Sequence, residues 1–401
     1  MLDSLHKIFY SNQKLHEATY LERFSSPSSV HLPLQIRQFG RNKSFQAFFS
    51  YNQDIALLLE NILSLFASFT DILHNIPTIV LRQFYMASLV DEVRSTTSIE
   101  GIHSTRRELH DVLEGNSKNH FSSIVKKYDL LISGNPPLFT SCEQVRAFYD
   151  EFAHDDAKHE NPHNKLDGVL FRKEAVDILS PSGKIIHRGL EPEDNIIKAM
   201  SDALNFLNDN SLPALIRIAA FHYLFAYIHP FYDGNGRTAR FISSSYIARR
   251  LHPLIALRLA ITIKRRIKLY YSLLRDTDAE INCGDLTPFI CGFLRFIADT
   301  ILDINRILSR KATQLERFRA GMPKIPHDYG IMDYLLQAST FYGSGLAMEE
   351  IMRLTGKSRN TIKKLLLSLP VRSRTGIKSR KKFYKIHWSA WRRTDTISDI
   401  S

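Results

Sequence analysis

Apolar residues recur every three or four positions through NQDIALLLENILSLF (52–66), TIVLRQFYMASLVDEV (78–93) and DNIIKAMSDALNFLN (194–208). That is the period of helices with one face turned to a core. The stretch ALIRIAAFHYLFAYI (214–228) is apolar almost all round and predicts a buried helix. It stops at His229-Pro230, because a proline disfavours helical geometry in the residue before it, and a new helix, TARFISSSYIARRL, is expected to begin near Thr238. One stretch breaks the helical pattern: in LFRKEAVDILSPSGKIIHRG (170–189) two β-prone runs flank Pro181, Ser182 and Gly183, which reads as an exposed hairpin. A lone hairpin is marginal, so it leans on the helices either as a connector or as an edge that pairs with an extended segment. The first fifty residues are mixed and aromatic and predict little, and no repeat of fixed period is present.

Toward the C-terminus the helical pattern ends near Arg319 and meets Gly321, Pro323 and Pro326, which mark a linker. Beyond it, IMDYLLQA (331–338), AMEEIMRLTG (347–356) and SRNTIKKLLLSL (358–369) have helical spacing, with Gly356 as a turn, Ser358 as a cap and Pro370 as a stop. Two β-capable runs follow in VRSRTGIKSRKKFYKI, placed around Thr375 and Gly376 as a hairpin. The segment resembles a winged helix-turn-helix domain, whose third helix would enter a major groove and whose wing would touch phosphates. Charge bears on that reading: the chain carries a net +12, and the fourteen Lys and Arg between Arg353 and Arg393, unaccompanied by Asp or Glu, leave −2 for the rest. Basicity confined to one module suits double-stranded DNA, or equally a basic face used for protein contacts.

Composition narrows the setting. A chain of 401 residues with 44% apolar content is long enough for two or three cores. The most membrane-like run, Ile218 to Ile228, is too short to span a bilayer, and the first twenty residues lack the pattern of a secretory signal. The expected setting is therefore cytoplasmic, with no membrane partner. Cys142, Cys283 and Cys291 are odd in number and have no CxxC spacing, so reduced, buried thiols are expected. HDDAKHENPH (154–163) gathers three histidines with acidic residues, but its spacing matches no zinc motif and it reads as a polar loop. KRRIK (264–268) reads as the wet side of a helix.

The chemistry concentrates in HPFYDGNGRTAR (229–240), the loop between two predicted helices. Gly234, Asn235 and Gly236 accept positive φ, so their N–H groups can turn inward as an anion nest at the start of the next helix. Arg237 and Arg240, three apart, share a helix face and can clamp phosphate oxygens. Asp233 offers a hard oxygen suited to Mg²⁺, and His229 is the group that titrates near neutrality and can accept a proton. Together they are the parts needed for transfer from a nucleoside polyphosphate. The GxxxxGK[ST] pattern of a P-loop is absent.

The stretch matches without a break the HPFxDGNGRxxR motif of Fic (filamentation induced by cyclic AMP) proteins, and the resemblance runs from about Phe84 to Leu294, including YYSLLRDT and GDLTPFICGFL. It implies a helical enzyme that transfers AMP from ATP to a Ser, Thr or Tyr hydroxyl of a target protein. His229 would be the base, Asp233 the Mg²⁺ ligand, Gly234, Asn235 and Gly236 the anion hole, and Arg237 and Arg240 the phosphate clamps. Phe231 would anchor the loop, and the hairpin at 170–189 resembles the family's flap. Ala239 stands where glycine is frequent, and Ala226 where glutamate often precedes the motif. Upstream, STTSIEGIHSTRREL resembles the family's inhibitory element: Thr96 and Glu100 are four apart, Gly101 can end their helix, and Glu100 would pair with Arg240. A surface glutamate at a helix end is the plainer alternative.

The expectation is a mainly α chain: 1–119 an N-terminal helical region with the inhibitory motif, 120–300 the Fic core with the flap, 301–324 a helix and linker, and 325–401 the winged helix-turn-helix. Competing readings of function are removal of AMP or transfer of another phosphate group by the same site, and a DNA-binding regulator that senses nucleotide. Self-pairing of the chain is left open.

Overall fold

A computed structural model describes residues 3–132, 134–152, 166–180, 182–320, 329–342, 346–368, 373–378 and 381–386. The histidine-rich stretch 154–163, Pro181, the linker residues Gly321, Pro323 and Pro326, and Pro370 lie outside them. The chain forms two compact units, Met1–Ala67 with Ala87–Leu302, and Ser68–Met86 with Asp303–Ser401.

The first unit opens with α1 (Leu5–Ser11) and α2 (Gln13–Ser25), then an antiparallel pair, β1 (Ser29–Arg37) and β2 (Ser44–Ser50). The region expected to be helical thus contains a sheet. Its cause is a period of two in SVHLPLQIR, which buries Leu32 and Ile36 on one side. Pro33 falls where the register shifts between His31 and Gln35, as a residue without an N–H must. Phe48 of β2 donates to Gly284 O (3.0 Å) and accepts from Leu286 N (2.7 Å), which ties this hairpin to the later chain.

Helices follow: α3 (Gln53–His74), α4 (Thr78–Ile99), α5 (Arg106–Leu113), α6 (Ser122–Leu130) and α7 (Cys142–Phe152). The stretch 170–189 holds a short antiparallel pair, β3 (Asp177–Leu179) and β4 (Ile185–Arg188), turned at Gly183 with φ 77°. Then come α8 (Glu193–Asn208), α9 (Ala214–Ile228), α10 (Asn235–Arg250), α11 (Pro253–Ala256), α12 (Leu259–Arg265), α13 (Ile267–Asp278) and α14 (Thr287–Ala320). Helices α3, α4 and α14 cross the boundary between units. α9 packs against α8 and α10 and is buried nearly throughout. Each enclosed Leu, Ile or Phe there contributes about 1.5–3 kcal/mol.

The second unit has α15 (Tyr329–Tyr342), β5 (Leu346–Ala347), α16 (Met348–Thr355), α17 (Arg359–Ser368), β6 (Ser373–Lys378) and β7 (Lys381–Ile386), with strand order β5-β7-β6. Ile76, Val80, Leu315, Ile331, Leu335, Ile351 and Ile362 share its core. Gly356 caps α16 at φ 65°, and Ser358 Oγ accepts from Thr361 N at 3.3 Å. Thr375 and Gly376 lie inside β6, paired with Tyr384 and Phe383, rather than at the turn. Register decides this: β6 stays paired with β7 beyond Gly376, through Ile377 with Lys382 and Lys378 with Lys381.

All three cysteines are free and buried. The run 218–228 is not the longest apolar one: α3 has a mean hydropathy of 1.6 over its best window and is long and apolar enough, by length and composition alone, to cross a bilayer.

Candidate functional site

The motif loop begins where α9 is forced to end. His229 precedes Pro230, leaves the right-handed helical region and takes the left-handed one (φ 53°, ψ 60°), while its N–H still closes the helix on Phe225 O at 3.0 Å. A non-glycine residue in that region costs on the order of 1 kcal/mol, so the surrounding contacts have to hold it there. The imidazole is half-buried, with Nδ1 3.3 Å from Ala226 O. Burial, with His187 and Arg172 close by, pushes its pKa down to about 3.

Phe231 turns into the core with no exposed surface, stacked on Tyr149 at 3.7 Å and 9° and edge-on to Phe171 at 5.5 Å. Asn235 locks the loop: its Oδ1 accepts from Phe231 N (2.9 Å) and its Nδ2 donates to Phe231 O (2.7 Å). The asparagine side chain is thus occupied within the loop, and only its backbone can face an anion. α10 begins at Asn235, three residues before the expected start, because Gly234 takes φ 74° and caps it. Of the three loop residues expected to adopt positive φ, only Gly234 does. The backbone N–H groups that the loop could offer an anion are therefore those of the first turn of a sixteen-residue helix, not of a free-standing nest.

Two guanidinium groups lie beneath that turn. Arg237 is fully buried, with Nη2 3.2 Å from Asp233 Oδ2, and the Asp233 side chain keeps 29% exposure. Arg240 is 1% exposed; its Nε donates to Thr96 Oγ1 (2.8 Å), and its Nη2 to Thr96 O (3.1 Å) and Glu100 Oε1 (2.5 Å). Glu100 follows the last residue of α4, and Gly101 with φ 83° turns the chain away. Its carboxylate lies over Gly236, where a Cβ would sit 2.3 Å from Oε1. An anionic oxygen thus already occupies the mouth of α10.

Sequence reasoning missed several supports. Ser88 and Glu92 extend the four-residue spacing of Thr96 and Glu100 back along one face of α4. Glu92 is fully buried and accepts from Ala260 N (2.9 Å) and Ile261 N (3.3 Å), and burial pushes its pKa up to about 8. His222 bridges Ser243 Oγ and Tyr270 Oη, each at 2.9 Å, and burial lowers its pKa to about 3. Glu193 collects the N–H groups of Val169, Leu170 and Phe171 at 3.1, 2.7 and 2.9 Å. Arg172, fully buried, donates to three backbone carbonyls. The four-residue spacing in α4 was readable as a pattern; the isolated Arg172 and Glu193 carried no signal.

Residues 140–247 match the Fic/DOC family, and this segment is a Fic domain. The chain is 26% identical over 201 residues to protein adenylyltransferase fic-1 of Caenorhabditis elegans, covering 49% of this chain and 37% of that one. It is 38% identical over 96 residues to protein adenylyltransferase Fic of Drosophila grimshawi, covering 24% and 17%. The chain thus spans well under half the length of these relatives. A crystal structure of a Fic family protein from Desulfovibrio desulfuricans G20 superposes with a TM-score of 0.51 at 17% identity, over 84% of this chain and 97% of that one. The mainly helical fold is therefore a Fic fold.

Proposed function

We propose that the protein is an adenylyltransferase that moves AMP from ATP to a Ser, Thr or Tyr hydroxyl of a target protein, held in check by Glu100. The observation that carries this reading is the mouth of α10, where buried Arg237 and Arg240, the first helical turn and half-buried His229 meet around one loop. His229 would take the proton of the incoming hydroxyl, whose oxygen attacks the α-phosphorus as pyrophosphate leaves. Arg240 and Arg237 would grip the terminal phosphates, and Gly234, Asn235 and Gly236 would offer backbone N–H groups. Asp233 suits Mg²⁺, which commonly takes one carboxylate and completes its shell with phosphate oxygens and water, and would neutralise phosphate charge. The names of the relatives agree with a transferase.

The inhibition would be direct. The Glu100 carboxylate stands in for an oxygen of the terminal phosphate, occupying Arg240 and the space over Gly236. The test of the reaction is incubation of full-length protein with ATP, Mg²⁺ and lysate, where a mass increment of AMP on a hydroxyl side chain is expected. Release of AMP from premodified protein without any such addition would favour the reverse reaction.

The state of His229 sets the pH dependence. Its folded pKa is depressed, so the imidazole stays neutral as pH falls through 6.5 and protonates only far below. A pH–rate profile should hold its plateau through pH 6, and an acid limb centred at or above 6.5 would contradict this.

For the second unit we infer binding of double-stranded DNA by a winged helix-turn-helix. α17 exposes Arg359, Asn360, Lys363, Lys364 and Leu367 while burying Ile362 and Leu366, an outward basic face on a packed helix. In a filter-binding titration affinity should fall steeply as salt rises; affinity indifferent to salt, or none, would remove this reading.

A further inference from the structure

The two ends of the β3–β4 stretch and the loop bearing His229 meet at one side chain. Arg172 is fully buried, and its Nε donates to His229 O (2.9 Å), Nη1 to Glu174 O (2.6 Å) and Nη2 to Leu190 O (2.8 Å), while its own backbone N–H donates to Pro230 O (3.2 Å). Glu174 precedes β3, Leu190 follows β4, and His229 and Pro230 open the motif loop. A charge this deeply enclosed is tolerated because a rigid fork of donors is matched to several carbonyls at once. The fit is close. A Cβ on Gly189 would lie 2.2 Å from Arg172 Nη2 and 2.9 Å from His229 Cβ. Backbone bonds run alongside, from Gly189 N to Val176 O (3.0 Å) and from Leu190 N to Ile228 O (3.1 Å). His187 of β4 adds a fourth tie, Nε2 to Tyr227 O at 2.8 Å.

We propose that Arg172 is a positioning residue that locks the β3–β4 hairpin to the His229 loop, so that a target segment paired along the hairpin edge presents its hydroxyl at a fixed distance from the imidazole. The proposal rests on the transfer reading above and adds a residue that sets where the acceptor lies, separately from those that hold ATP. Arg172 grips the carbonyl whose direction the left-handed geometry of His229 defines. Losing the grip would let the base and the hairpin move apart while leaving Arg237, Arg240 and the start of α10 in place. Lysine keeps the charge but, as a point donor on a flexible stem, cannot span three carbonyls.

The test uses the full chain carrying Glu100→Gly, alone and combined with Arg172→Lys or Gly189→Ala. Three quantities are measured: ATP affinity with Mg²⁺ by calorimetry, the initial rate of label incorporation from α-labelled ATP into lysate protein, and amide exchange at Gly189 and Leu190. The expected result for Arg172→Lys is unchanged ATP affinity, a transfer rate lower by about 100-fold, and faster exchange at both amides. Gly189→Ala should act in the same direction by displacing the guanidinium. An unchanged transfer rate overturns the proposal, as does parallel loss of ATP affinity and transfer. Failure of both variants to fold also overturns it, assigning Arg172 to stability alone. Absence of transfer in the Glu100→Gly parent would instead defeat the transfer reading, and amide exchange would still report whether Arg172 holds the hairpin.

Discussion

Labelling of protein by α-labelled ATP is expected to rise on the order of 10- to 100-fold when Glu100 is replaced by glycine, the usual range for a coupling of this kind. The carboxylate sits 2.5 Å from Arg240 Nη2 and over Gly236, at the positive end of α10. Both partners are what a terminal phosphate would need, so under the proposed reading carboxylate and phosphate would compete for one space. Removing the side chain frees the guanidinium, which Thr96 still holds through Nε at 2.8 Å. Buried Glu92 continues to anchor α4 through Ala260 and Ile261, so the helix should stay in place. Unchanged labelling in a variant that still binds ATP would defeat the inhibitory role.

In that activated background, replacing His229 should lower transfer by about 100- to 10,000-fold, the usual contribution of a positioned base. His229→Asn is the more informative variant, because asparagine tolerates the left-handed conformation and cannot accept the proton. The fold should survive, since the described side-chain hydrogen bond of the imidazole is a long one, 3.3 Å to Ala226 O. ATP affinity should be retained because Arg237 and Arg240, the proposed phosphate clamps, are on α10. Single-turnover transfer checks this, and a rate within a few-fold of the parent would take the imidazole out of the chemistry.

The helices were legible where one physical rule acted alone. α9 runs over the residues its apolar pattern marked and stops at the proline. α10 was misplaced by three residues because its start depends on a left-handed glycine and on an asparagine bonded back to Phe231, neither of which has a period. β1 and β2 were missed because aromatic residues and Pro33 obscure an alternation of two, and the turn between β6 and β7 was misplaced because register is a property of the pair.

By itself the sequence determined the helical architecture, the loop with its histidine, aspartate, glycines and arginines, and a glutamate on a distant helix end whose resemblance nominates Arg240 as its partner. Tertiary structure alone decided what lies within reach of what: Glu100 over Gly236, Glu92 on the start of α12, and Arg172 across three carbonyls from separate segments. Periodicity and turn chemistry act over a few residues and are written locally. Contacts between residues more than fifty positions apart, such as Arg172 with His229, exist only after the core has closed.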